Sequence, residues 1–153
     1  MENDNDFIDG LKKLIGTKIE NGPSPLANWL NAEILEVEKG YVKMKYTVRH
    51  EMTNPLGIIH GGTTAAILDD IMGLMVFTLR NDKFFTTISL TVDYLSSAKE
   101  GEEITGEARL VKQGSRVIFT EANLFRADGK LMANGRSHLI EAFSERDPLS
   151  HLK

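Results

Sequence analysis

Gly61-Gly62-Thr63-Thr64-Ala65-Ala66-Ile67-Leu68-Asp69-Asp70-Ile71-Met72-Gly73-Leu74-Met75-Val76-Phe77-Thr78-Leu79 is the stretch on which the fold turns. It has no proline, is long enough for roughly five helical turns, and is apolar around its whole circumference. A helix apolar on every side is a buried one, so this segment is expected at the centre of the molecule. Upstream, residues 32–48 alternate in polarity around a Lys39-Gly40 turn and read as a β-hairpin. Downstream, four alternating stretches follow at 84–96, 102–113, 116–126 and 130–143. They are separated by turn signals at Lys99-Glu100-Gly101, Gln113-Gly114-Ser115 and Ala127-Asp128-Gly129, which predicts an antiparallel meander. A sheet of that size must bury one face, and only the 61–79 helix is apolar enough to fill it. The sheet is therefore expected to wrap around the helix, an α+β architecture. Ahead of all this, Phe7, Ile8, Leu11, Leu14 and Ile15 recur at helical spacing and predict a short amphipathic helix over 7–20, ended by Gly22-Pro23-Ser24-Pro25.

Composition narrows the class. The 153 residues fit one domain, 1–153, in which 1–30 form a helix and linker and 144–153 a polar tail. No cysteine is present, which excludes disulfides, thiolate zinc, iron–sulfur clusters and a cysteine nucleophile, and points to a reducing, cytoplasmic compartment. Eighteen Lys and Arg against 22 Asp and Glu give a net charge of −4, without the cationic surplus that attracts nucleic acid. The acidic start Met1-Glu2-Asn3-Asp4-Asn5-Asp6 is unlike a secretory leader, and the uncharged run 52–68 holds Asn54, Pro55, Gly57, His60, Gly61 and Gly62, so no membrane span is expected. His50, His138 and His151 are spread too widely for a metal site. Phosphate-cradling, Gly-x-Ser-x-Gly and dinucleotide motifs are absent from the sequence.

What remains is two adjacent carboxylates, Asp69 and Asp70, in an apolar helix. An unpaired buried carboxylate costs several kcal/mol, roughly, so at least one needs a reason to be there. At 100° per residue Asp69 falls about 20° from Gly62 and shares a narrow face with Gly62, Ala66, Gly73 and Val76. Asp70 reads as structural. At the helix start, Gly61 and Gly62 present backbone N–H groups at the positive end of the dipole, where no side chain blocks an incoming oxygen. Asn54 and His60 add side-chain donors just upstream. Amide donors for a carbonyl, together with a carboxylate able to activate water, suggest acyl transfer to water.

The run Asn54-Pro55-Leu56-Gly57-Ile58-Ile59-His60-Gly61-Gly62, with Asp69 nine residues after His60, resembles the signature of the hotdog-fold acyl-CoA thioesterases of the phenylacetate-pathway (PaaI-like) type. The resemblance extends over residues 30–142, through Asp93-Tyr94-Leu95, Val111-Lys112-Gln113-Gly114 and Ala133-Asn134-Gly135-Arg136. It implies a hotdog fold and an acyl-CoA thioester as substrate, with coenzyme A present only as part of that substrate and no cofactor. It implies that Asp69 is general base or nucleophile and that the Gly61 N–H donates to the thioester carbonyl. Asn54 would assist that polarisation or position water, His60 would order the loop and the carbonyl, and Thr87 would orient water. It also implies a homodimer or a homotetramer of two dimers, with Asn54, His60 and Gly61 of one chain facing Asp69 of the other. Positions nine apart on one helix lie roughly 13 Å apart, too far for Asp69 to serve its own helix start. Lys112, Arg116 and Arg136 fall near strand ends and are candidates for the phosphates of coenzyme A.

Thr87 sits awkwardly. Strand parity groups it with Ser89, Thr91 and Asp93, opposite the expected core-facing set Ile88, Leu90, Val92 and Tyr94. Two other functions stay open at this level: an acyl-CoA-binding module without turnover, and an enoyl-thioester hydratase. The acidic 1–30 region lacks the character of a DNA-binding segment, and His60 precedes the acid where the hydratase pattern has a His following it. Leu30, Leu56, Met72, Met75 and Phe77 suit an aryl or a medium aliphatic acyl group.

Overall fold

The computed structural model describes residues 4–79 and 83–143; the polar tail expected at 144–153 lies outside them. In chain order the elements are α1 (Asp4–Lys12), α2 (Pro25–Leu30), β1 (Glu33–Glu38), β2 (Tyr41–Thr47), α3 (Gly61–Phe77), β3 (Phe85–Tyr94), β4 (Glu103–Gln113), β5 (Val117–Arg126) and β6 (Leu131–Glu141). The six strands form one sheet in the order β1-β2-β4-β5-β6-β3, every pairing antiparallel. This is the hotdog fold, with α3 as the filling. The meander expected after α3 holds for β4, β5 and β6. β3 instead pairs with β6 alone, because the hairpin β1-β2 occupies the other edge of β4.

Alternation explains the sheet. Along β2, and along β5 up to Phe125, buried and half-buried residues alternate. The buried set meets Ile67, Leu68, Ile71, Met72 and Met75 of α3, all fully excluded from solvent. Each such side chain contributes about 1.5–3 kcal/mol when removed from water. Two strand glycines set the helix's distance from the sheet. A methyl group on Gly135 would lie 3.1 Å from Leu68 Cδ1, and one on Gly106 would lie 3.1 Å from Ile71 Cδ1. Larger residues there would push the helix out.

The helix is not covered all round, as its composition suggested. Ala66, Asp69, Asp70, Gly73, Leu74 and Phe77 are only half-buried and share one arc of its surface. Nothing in the described residues covers that arc fully.

The first helix is shorter than its apolar spacing implies. It ends at Lys12, because Gly16 adopts a left-handed φ of 83° and the backbone beyond it pairs with β1, the Gly16 N–H donating to the Ile34 carbonyl at 2.8 Å and the Ile19 N–H to that of Ala32 at 2.8 Å. The Gly22-Pro23-Ser24-Pro25 stop also starts a helix that periodicity did not reveal. The Ser24 hydroxyl accepts from the Ala27 N–H at 3.2 Å and Pro25 takes the first turn of α2. The Arg49 guanidinium donates to the Trp29 and Leu30 carbonyls at the far end of α2, which anchors the loop leading into α3. Among the described residues no helix is long and apolar enough to cross a membrane.

Candidate active site

The loop before α3 is a tight backbone frame. The Asn54 N–H donates to the Ile58 carbonyl and the Gly57 N–H to the Asn54 carbonyl, each at 2.9 Å, with Gly57 at φ 74°. The Asn54 side-chain oxygen accepts from the Leu56 N–H at 2.9 Å, an Asx turn. That bond fixes the carboxamide and leaves its NH₂ as the end available to donate. The His60 N–H donates to the Met52 carbonyl at 2.8 Å and closes the frame at the first turn of α3.

At that turn His60 is the N-cap. Its Nδ1 accepts from the Gly62 N–H at 2.8 Å, and its carbonyl accepts from Thr64 at 3.0 Å. Accepting requires a lone pair on Nδ1, so the neutral ring carries its proton on Nε2. The cap also divides the two glycines that sequence treated alike. Gly62 N–H is engaged; Gly61 N–H has no hydrogen-bond partner among the described residues. The glycine at 61 has no conformational or steric cause within the chain. Its φ is ordinary, and a methyl group there would make only normal contact, 3.5 Å from the Tyr94 ring. Open access to its amide is what a side chain would remove.

Asp69, two turns along α3, receives a hydrogen bond from the Thr87 hydroxyl, Oγ1 to Oδ1 at 2.8 Å. The parity that set Thr87 apart from the core-facing set is corrected by a bulge. The β3–β6 register shifts between Thr87 and Ser89, so Ile88 drops out of the ladder and stands 56% exposed. Thr87 thereby joins Leu90, Val92 and Tyr94 on the helix-facing side, whereas Ser89, Thr91 and Asp93 face outward. Asp70 makes no such bond among the described residues. Burial first, and Asp69 second, push its carboxyl up to about 6, and it in turn helps raise the hydroxyl of the buried Tyr46.

β3 runs opposite to α3. Tyr94 at its end meets the helix start, its hydroxyl donating to the Gly61 carbonyl at 2.9 Å, while Thr87 near its beginning meets Asp69. Within one chain the uncapped amide and the carboxylate are thus held about 12 Å apart along the helix. The chain brings together Asn54, His60, Gly61 and Gly62 at one end and Asp69 with Thr87 at the other.

The basic candidates stand apart from both. Lys112 and the β4–β5 turn with Arg116 lie at the level of Thr87, along the row Thr87, Leu139, Ile118, Gln113, three strands and about 14 Å away. Arg136 points from the outer face of the sheet, opposite Thr91 and Glu121 and away from α3. One feature escaped the sequence, Tyr94 at the helix start, whereas the open space at Gly73 agrees with the narrow face that Gly73 shares with Asp69. A methyl group on Gly73 would meet no atom within 4 Å, one turn beyond Asp69. No local pattern marks Tyr94, whose position depends on where β3 lies.

A family model described as the thioesterase superfamily matches residues 56–133. The chain is similar to acyl-coenzyme A thioesterase 13 of Homo sapiens, with 34% identity over 104 residues covering 67% of this chain and 74% of that protein. It is similar in structure to zebra fish thioesterase superfamily member 2, with a TM-score of 0.72 and 26% identity over 90% of this chain and 96% of that one. A phenylacetic acid degradation-related protein of Ralstonia eutropha superposes with a TM-score of 0.71 at 30% identity, covering 78% and 92% of the two chains.

Proposed function

The chain belongs to the thioesterase superfamily and is a thioester hydrolase, and from that premise we propose that it hydrolyses an aryl-acyl or medium-chain acyl-CoA to the free acid and coenzyme A. The observation that carries this reading is the Thr87–Asp69 hydrogen bond beside a half-buried carboxylate. Thr87 occupies Oδ1, so Oδ2 is left to take a proton from water as the water adds to the thioester carbon. The Gly61 N–H, at the positive end of α3, receives the charge that develops on the carbonyl oxygen, with the Asn54 carboxamide and His60 Nε2–H as further donors. The tetrahedral intermediate then expels the coenzyme A thiolate, which takes up a proton.

A second copy of the chain completes the site. Among the described residues nothing pairs with the outer edge of β3, and Ile88, Tyr94 and Leu95 are exposed along it. Pairing two β3 strands antiparallel about a two-fold axis near Leu90 and Thr91 sets the Thr87 end of one against the Tyr94 end of the other. Asp69 of one protomer then approaches Gly61 of its partner, and the half-covered arc of α3 gains a neighbour. Lys112 and Arg116 lie on the side of the Asp69 end, at a reach that suits the phosphates of coenzyme A.

The acyl preference follows from what lies beyond Asp69. Space opens at Gly73 one turn on, and a further turn on Phe77 packs against Phe7 and Phe84, with ring centroids 5.9 Å apart in each pair. From Asp69 to Phe77 is about 12 Å of helix, room for a phenylacetyl group or an aliphatic chain of about eight carbons, ending on aromatic rings. The test is thiol release from a panel of acetyl-, phenylacetyl-, octanoyl- and palmitoyl-CoA, with wild type and Asp69→Asn. Phenylacetyl- or octanoyl-CoA should turn over fastest, and Asp69→Asn should lose about 10²–10⁴ in kcat. Equal rates for the two proteins would refute the role of Asp69, and thioester binding without thiol release would favour a non-catalytic module.

A further inference from the structure

We propose that Tyr94 is a positioning residue for the Gly61 amide: its hydroxyl clamps the adjoining peptide so that this uncapped N–H at the helix start holds its aim on the substrate oxygen. The role rests on the thioesterase reading above. A Gly-Gly pair is the most pliable dipeptide a chain can offer, and a helix end held only by its own ladder frays. Here the Gly61–Gly62 peptide is held at both ends. Its carbonyl accepts from Tyr94 Oη at 2.9 Å, and its N–H donates to His60 Nδ1 at 2.8 Å. Because the peptide is planar, two bonds at opposite ends fix the plane. The preceding peptide is held through the His60 carbonyl, which accepts from Thr64 at 3.0 Å. Gly61 N–H lies in that preceding peptide, so its direction is set from both sides without any atom of the clamp touching it.

The rest of Tyr94 points the same way. The residue is 56% exposed in the chain, so it adds little to the core, yet its ring edge and hydroxyl lie 3.5–3.6 Å from where a Gly61 side chain would begin. Packing within the single chain does not account for a tyrosine here; the hydroxyl's bond to Gly61 does. A donor held ready before the reaction stabilises the developing oxyanion without reorganising, so the clamp acts on kcat more than on substrate binding.

Tyr94→Phe removes the hydroxyl alone. Expected is a fall in kcat of about tenfold, short of the 10²–10³ lost when an oxyanion donor is removed outright, with KM within about twofold and an unchanged melting temperature. Affinity for a trifluoromethyl ketone analogue of the acyl-CoA, which binds as a tetrahedral oxyanion, should weaken by the same factor. Affinity for an S-alkyl-CoA thioether, which has no carbonyl, should not change. Wild-type kcat in Tyr94→Phe, or equal weakening of both analogues, would overturn the role of Tyr94 and leave the thioesterase reading in place. A wild-type chain that releases no thiol from any acyl-CoA would overturn both.

Discussion

Replacing Asp70 by Asn should make the protein more stable above neutral pH and leave it nearly unchanged in acid. In the fold the Asp70 carboxyl is raised from an ordinary value of 3.8 to about 6, by burial first and the Asp69 charge second. An acid whose folded value lies above its unfolded one favours folding while protonated. Its contribution is complete below about pH 4, is lost as pH rises through 6, and above that the buried charge is a standing cost. The difference of about two units, at 1.36 kcal/mol each, sets the size of the effect at about 3 kcal/mol. The solvent access Asp70 retains brings the expected value to about 2–3 kcal/mol. For a chain of this length that is roughly 5–10 °C in melting temperature. The assay is urea unfolding of wild type and Asp70→Asn at one protein concentration, from pH 4.5 to 8, so that any subunit association is held constant. The stability difference should grow in favour of Asn up to about pH 6 and level off above it. Two curves that stay parallel would show that Asp70 keeps its ordinary titration in the fold, and the burial argument would fail.

Subunit mixing tests whether the site spans two chains. Asp69→Asn and Gly61→Val should each be nearly inactive alone, but co-refolded in equal amounts they should regain about a quarter of wild-type activity. Half the dimers are mixed, and each mixed dimer has one site free of both substitutions. A site built within one chain would regain nothing. Thr87→Val should lower kcat by about tenfold or more, because a hydrogen bond to a charged group contributes about 1.5–3 kcal/mol, and Thr87→Ser should restore most of it. Steady-state rates with the preferred acyl-CoA decide this; a Val variant at wild-type speed would remove Thr87 from the site.

The architecture was legible because its determinants are local. The apolar run Ala65–Phe77 and the alternation along the strands each repeat with the period of the element they form, and burial acts on those periods directly. The signature around His60 was legible for a related reason: a loop, a cap and a helix start are contiguous in the chain. The short helix Pro25–Leu30 was missed because its start signal, Ser24-Pro25, served equally well as a stop for the helix before it. Thr87 was placed on the wrong side of β3 because parity counting assumes an unbroken ladder, and one bulged residue, Ile88, reverses the count for everything after it.

Residue order alone thus pointed to a wrapped helix with an acid at Asp69 and two glycines at its start, since nearest-neighbour stereochemistry and solvent exclusion are written position by position. Three matters waited on three-dimensional packing. The histidine cap takes Gly62 and leaves Gly61 free, Tyr94 reaches across 33 positions to hold the Gly61 carbonyl, and β3 runs against α3 with its edge unpaired among the described residues. Each is a contact between groups far apart in the chain, and its geometry comes from how the sheet closes on the helix, which no run of neighbouring residues encodes.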